Sequence, residues 1–242
     1  MLEKDKISML GCQLDAVDMQ EALYRIENMV KNRRVASQVI TLNAEMAVHA
    51  FDNPQLQGVI NRAALVTPDG IGIIWAAKRM GYKLPGRVTG IDLVYHLCQM
   101  AAKKGYKVFL LGARPGIAEM ASTQLVKRYP NLNICGCQDG YFNSTEEVIR
   151  RIKHLAPDIL FVALGSPKQE LWINAYKDQI KVPVSIGVGG SFDIVSGAKK
   201  RAPKLFIRLN MEWLYRLLKE PSRIKRQLVL PRFVWMVMKS RA

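Results

Sequence analysis

The 242-residue chain has no apolar run of the ~18–20 residues that a membrane span requires. Nor does it open like a secretory leader, because "MLEKDKISML" mixes both charge signs and has no long apolar core. The expectation is a protein that starts life in the cytosol. Cysteine is scarce: Cys12, Cys98, Cys135 and Cys137 form no CxxC pair, which argues against a zinc site or a disulfide framework. Cys135 and Cys137 alternate along a strand-like stretch and are expected on one face as small buried hydrophobes. No Walker A motif is present, and neither 112-GARPG-116 nor 187-GVGGSF-192 completes the GxGxxG fingerprint, so a nicotinamide enzyme is disfavoured.

Acidic residues are also few, 20 Asp and Glu against 36 Lys and Arg, for a formal charge of +16. The surplus is concentrated near the end. From Ala198 to Ala242, 13 Lys and Arg stand against Glu212 and Glu220, which leaves +11 there and +5 for residues 1–197. The chain therefore reads as a nearly neutral body, 1–197, followed by a basic appendage, 198–242. With 49% hydrophobic residues the body can bury a core of ordinary size.

Strand-like and helix-like runs alternate through the body. "QVITLN" (38–43) leads to "AEMAVHAF", "ALVTPD" (64–69) to "IGIIWAAKRM", "KVFLLGA" (107–113) to "IAEMASTQLVKRY", and "DILFVALGS" (158–166) to "KQELWINAYK". "NICGCQDGYF" (133–142) and "VPVSIGVGG" (182–190) supply two further strands. This alternation predicts an α/β, Rossmann-like, mainly parallel sheet with helices on both faces. Thr89 with Asp92 and Ser144 with Glu147 have capping-box spacing, and Gly105 stands where a helix should stop.

In such a sheet, ligands bind beyond the carboxyl ends of the strands. The loops there are built alike. "TLNAE", "TPDGIG", "LGARPG", "LGSPKQE" and "GVGGSFD" each place small or short polar residues ahead of a helix whose free N–H groups can receive an anion. Together they suggest a phosphate-bearing ligand. Asp69 draws attention because it sits between Pro68 and Gly70, where a strand gives way to a helix. Its structural reading is an N-cap; its chemical reading is a general base at the mouth of the sheet. Pattern alone does not choose between them.

"TLNAEMAVHA", "VTPDGIGIIW" followed by "RVTGIDL", "VFLLGARPG", "LGSPKQELW" and "GVGGSFDIVSGAKKRAP" run in order over about residues 38–204. They resemble the signatures of the WecG/TagA/CpsF glycosyltransferases, most closely the TagA branch. The resemblance implies an inverting transfer of N-acetylmannosamine (ManNAc) from UDP-ManNAc to undecaprenyl-diphosphate-linked N-acetylglucosamine (GlcNAc), a step in wall teichoic acid synthesis. It makes Asp69 the catalytic base, with Thr41 and Asn43 hydrogen-bonding the sugar or orienting Asp69. Arg87 in "PGRVTG" is available to hold a phosphate or a sugar. For the donor it offers Gly112 and Gly116, whose backbones approach the diphosphate, and Gln169 as a hydrogen-bond donor to it. Gly140 and Tyr141 are offered for the uracil, and Asp193 for ribose hydroxyls.

Many nucleotide-sugar transferases hold a divalent metal with D-x-D, which this chain lacks, so no metal and no other cofactor is expected and cations must carry that load. The appendage interleaves Arg208, Arg216, Arg223, Lys225, Arg226 and Arg232 with Trp213, Leu217, Ile224, Leu228, Phe233 and Trp235. Such a helical segment suits an anionic bilayer, here the inner face of the cell membrane. Arg216, Arg223 and Arg226 are expected to close over the site and bind a diphosphate, although Pro221 interrupts a continuous helix between the first two. Removing this tail is expected to leave the body folded.

The nearest alternative is the same family with a different UDP-sugar donor; two remoter rivals are a nucleic-acid-binding protein, which would leave the strand-end loops without purpose, and a nucleotide-sugar sensor on the same fold. A homo-oligomer is a further open partner, since Trp172, Ile194 and Val195 suit either a partner subunit or the core.

Overall fold

The computed structural model describes residues 6–209, 211–219 and 224–240. The chain opens with an antiparallel hairpin of β1 (Lys6–Met9) and β2 (Cys12–Asp15). Leu10 and Gly11 turn it, both with positive φ as a two-residue hairpin turn demands. After α1 (Met19–Lys31) come β3 (Ser37–Leu42), α2 (Ala44–Asp52), α3 (Pro54–Arg62), β4 (Leu65–Pro68), α4 (Ile71–Arg79) and α5 (Gly90–Lys104). The second half runs through β5 (Lys107–Gly112), α6 (Ile117–Arg128), β6 (Asn133–Gln138), α7 (Thr145–Leu155), β7 (Ile159–Ala163), α8 (Lys168–Ile180), β8 (Val184–Gly187) and α9 (Ser191–Val195). Four helices follow: α10 (Lys204–Arg208), α11 (Glu212–Lys219), α12 (Ile224–Gln227) and α13 (Val229–Lys239).

Six strands form one parallel sheet in the order β4-β3-β8-β7-β5-β6. The period of two assigns its faces. Val39, Leu65, Val108, Leu110, Phe161 and Ile186 pack against α1, α5 and α6. On the opposite face, Ile40, Leu42 and Val66 meet α2, α3 and α4, while Phe109, Leu111, Leu160 and Val162 meet α7 and α8. Every residue of β7 is buried, as expected of a central parallel strand covered on both sides. The β4 edge is closed by a side chain: Asp15 Oδ2 accepts from Val66 N at 2.8 Å, and Asp15 is itself held by Arg25.

Local punctuation acts as expected. Thr89 Oγ1 caps α5 by accepting from Asp92 N, Ser144 Oγ caps α7 by accepting from Glu147 N, and Gly105 ends α5 in the left-handed region. Trp172 and Val195 are buried and Ile194 packs on the core, so all three belong to the interior of the fold rather than to a free surface.

One expectation is corrected. Cys135 and Cys137 do not share a face: the β5–β6 register shifts between Val108 and Phe109, making Cys135 a bulged residue. Cys135 consequently packs with the Phe109 face and Cys137 with the Leu110 face. The basic segment after residue 197 packs on the body through its far end. Its last helix, α13, lies against α2 and α4 and inserts Phe233, Met236 and Val237 into the same core as Leu42 and Ile73, so a chain cut at 197 would leave that core open.

Candidate active site

The two ends of the sheet build different things. β5 continues rightward through α6 to β6, whereas β7 continues leftward through α8 to β8, with α6 and α8 on opposite faces. Neighbouring loops therefore diverge between β5 and β7 and leave a crevice there. It holds an open cavity of about 410 Å³. Ala113 and Arg114 after β5, Gly140 and Tyr141 after β6, Leu164 and Lys168 after β7, and Asp193 on α9 line it. Backbone bonds stitch these loops together, Ala113 N to Ala163 O at 2.9 Å and Gly140 N to Ala113 O at 2.8 Å. A Cβ on Gly140 would meet Leu164 Cδ2 at 3.0 Å and Ala113 O at 3.2 Å, so any larger residue would push these loops apart by a few tenths of an ångström. Tyr141 is 70% exposed at the rim, with its backbone set by a bond from its N–H to Asp139 Oδ1.

The cavity is cationic. Arg114 and Lys168 face a single acid, Asp193, and that acid already has Arg114 Nη2 and Lys199 Nζ each at 3.7 Å. Such a lining favours an anion. Sequence reasoning passed over Arg114 and Lys168, although both stand inside quoted loops at the first turns of helices, and a rule reading cations at strand ends would have found them.

The second part of the site lies at the ends of β3 and β4. Thr41 and Thr67 are register partners, and Asp69 N donates to Leu42 O at 2.8 Å, continuing the ladder one residue past β4. Asp69 is half-buried there, and the N-cap of α4 is Gly70, at φ 87°, with no capping side chain. Val88 N donates to Pro68 O at 2.8 Å, which ties the backbone just after Arg87 to the backbone just before Asp69. Asn43 does cap its helix, its Oδ1 accepting from Met46 N at 2.9 Å; its amide NH2 is the group left for a ligand. Thr41 is buried beside the first turn of α5: a Cβ on Gly90 would stand 3.6 Å from Thr41 Oγ1 and 3.7 Å from both Ser191 Oγ and Val188 Cα.

The segment from the end of β8 into α9 therefore borders both parts: Val188 and Ser191 face Gly90, which also faces Thr41, and Asp193 on α9 lines the cavity. Arg201 ties the following segment to the same region through Asp92 Oδ1 at 2.7 Å.

Three expected donor residues also have structural places of their own. Gly112, at φ 120°, permits β5 to approach β7, because a Cβ would fall 2.5 Å from the Ala163 carbonyl; it does not line the cavity. Gly116 begins α6 at φ 81° and lies outside the lining. Gln169 is 3% exposed and turned inward: its Oε1 accepts from Gly189 N at 3.0 Å and its Nε2 donates to Glu170 Oε1 at 2.7 Å. Arg223 and the side chains of Arg216 and Arg226 lie outside the described residues.

Among the described residues, no cluster of three metal-ligating side chains occurs and no helix is long and apolar enough to cross a membrane. Burial pushes the thiols of Cys12 and Cys98 up to about 11 and about 12, as suits inert core residues.

Residues 7–242 match the model of the glycosyl transferase WecG/TagA/CpsF family. The N-acetylglucosaminyldiphosphoundecaprenol N-acetyl-beta-D-mannosaminyltransferase of Bacillus spizizenii is 37% identical over 229 residues, 94% of this chain and 89% of the relative. The proteins of the same name from Staphylococcus aureus strain MW2 and Bacillus subtilis strain 168 are each 36% identical, covering 98% and 88% of this chain and 93% and 84% of their own lengths.

Proposed function

This chain belongs to the WecG/TagA/CpsF glycosyltransferase family, and from that premise we propose that it moves N-acetylmannosamine to GlcNAc on undecaprenyl diphosphate, the acceptor and sugar in its relatives' name, and that it takes the sugar from UDP-ManNAc. The observation that carries this reading is the two-part site: a cationic cavity at the strand switch point and a half-buried carboxylate at the end of β4, both at the carboxyl ends of the strands of one parallel sheet. In this reading the cavity takes the nucleotide. Arg114 and Lys168 balance the diphosphate, and the exposed ring of Tyr141 stacks on uracil. Asp193 is available to ribose hydroxyls. Charge on the departing UDP is met by side-chain cations and helix N-termini, without metal.

Asp69 then removes the proton from the acceptor hydroxyl as its oxygen attacks the anomeric carbon, and the configuration inverts. An ordinary carboxylate is a weak base for an alcohol, so the proton moves late, within the transition state. Thr41 and the free amide of Asn43 orient the sugar or the base, and Arg87 binds a phosphate or a sugar beside Asp69. Exposed Trp213, Leu228 and Trp235 among the basic C-terminal helices favour docking on the anionic inner face of the membrane, where Arg216, Arg223 and Arg226 would engage a diphosphate. A nucleic-acid reading has no use for the cavity.

The test is UDP release from UDP-ManNAc with and without the lipid-linked acceptor or a short-chain analogue, with and without chelator. Acceptor-dependent release should survive chelation and fall by about 10²–10⁴ in Asp69→Asn. A wild-type rate in Asp69→Asn would remove the base assignment. No release by the native protein would remove the donor and acceptor assignments.

A further inference from the structure

Glu170 is 1% exposed, and among the described residues no cationic side chain compensates its carboxyl. A lone acid in that position is costly, and an apolar residue would fill the space at less expense. Its surroundings show what the carboxyl holds. Oε1 accepts from Gln169 Nε2 at 2.7 Å, and Gln169 Oε1 in turn accepts from Gly189 N at 3.0 Å, in the loop between β8 and α9. Gln38 of β3, itself buried, donates to the Glu170 carbonyl at 3.0 Å and pins the start of α8 to the sheet. Both side chains lie flat on the end of β8: a Cβ on Gly187 would stand 2.6 Å from Gln169 Nε2 and 3.0 Å from Glu170 Oε1.

Oε2 of Glu170 and Oγ of Ser166 are both buried and lack a hydrogen bond of full geometry, yet the Ser166 hydroxyl is near enough to the carboxyl to oppose in part the upward push of burial. Burial holds the carboxyl above its usual range and so favours the neutral acid. In that form Oε1 still accepts from Gln169, while the Oε2–H is a donor for Ser166 Oγ.

We propose that Glu170 is a positioning residue: through Gln169 and the Gly189 amide it sets the β8–α9 loop, which leads into α9 and the cavity residue Asp193. Val188 and Ser191, on either side of that amide, face Gly90 in the first turn of α5, the residue that also faces Thr41, and the short turn of α9 carries the placement to Asp193. Gln169 is thereby a strut between the loops after β7 and β8, not a ligand for the donor. A small displacement of this loop misaligns the two reactants, and misplacement near 1 Å is worth about a hundredfold in rate.

The kinetic part of the test rests on the transferase reading above; the exchange part does not. In full-length protein, Glu170→Gln keeps an acceptor at Oε1 and a donor toward Ser166, whereas Glu170→Leu fills the volume with neither. Hydrogen exchange over residues 187–193 should show Gly189 protected in native protein and Glu170→Gln, and deprotected in Glu170→Leu. In the UDP-release assay Glu170→Leu should lose about ten- to a hundredfold in kcat with donor KM changed less than about threefold, and Glu170→Gln should restore kcat to within about twofold. Unchanged Gly189 protection in a Glu170→Leu protein that melts cooperatively would overturn the proposal whether or not the native protein releases UDP. So would a Glu170→Gln variant as slow as Glu170→Leu, since that would require the ionised carboxylate itself. If Glu170→Leu does not fold, exchange and kinetics of Gln169→Leu, which breaks the same link one residue earlier, decide by the same outcomes.

Discussion

At Glu170 a single proton couples to the stability of the whole fold. Burial raises its folded pKa above the value of 4.5 for a free glutamate, so the native state holds the proton more tightly than the unfolded chain. The stabilisation linked to that proton is complete below the unfolded value and is lost as pH rises toward the folded one. Replacement by the permanently neutral Gln should remove this dependence: Glu170→Gln is expected to melt higher than native protein at about pH 8 and to match it near pH 4. Parallel melting curves for the two proteins across that range would show that the carboxyl is not held protonated. Asp69 and Asn43 show how residue-scale reading divides. Both stand at strand-to-helix junctions and both are natural caps, yet only Asn43 has its oxygen in the cap position. Composition cannot separate them, because the choice depends on whether the helix starts at the next residue or one later.

Among the elements, α13 departs furthest from the sequence reading. Its spacing of apolar residues marks an amphipathic helix, and the neighbouring Arg and Lys suit a bilayer. The helix is in fact apolar on two sides. Phe233, Met236 and Val237 point into the core between α2 and α4, while Val234, Trp235 and Met238 point outward. Since Phe233 is 1% exposed, Phe233→Ala should cost about 3–5 kcal/mol of folding stability, measurable by urea unfolding of the full chain. A loss under about 1 kcal/mol would mean that α13 detaches in solution. The bulge at Cys135 is a second element-scale surprise. Nothing in "NICGCQ" marks the extra residue, because it arises from pairing with β5 rather than from local propensity.

For the whole molecule, +11 of the +16 formal charge lies after residue 197, and that segment also exposes Trp213, Ile224, Leu228 and Trp235. Full-length protein should sediment with vesicles containing phosphatidylglycerol and be released as salt rises from about 0.1 to 0.5 M, because each Lys or Arg near an anionic surface contributes about 1 kcal/mol that ions screen. Trp235→Ser should weaken the association; equal binding to neutral vesicles at both salt levels would refute it. The architecture beneath this surface is legible from the chain itself. Period-two apolar runs alternating with capped helical runs determine a parallel sheet with helices on both faces, since burial on two sides leaves few other solutions. The loop motifs and their order determine the family, and they also mark Tyr141 and Asp193 as residues of one strand-end region. What the chain alone leaves open is the strand order, and with it which loops become neighbours. Arg114, Lys168 and Asp193, 79 residues apart at the extremes, meet only because β7 and β8 insert between β5 and β3. The inward turn of Gln169, the close approach that requires Gly112, and the docking of α13 have the same origin: each depends on contacts between segments distant in sequence, whose geometry no local pattern encodes.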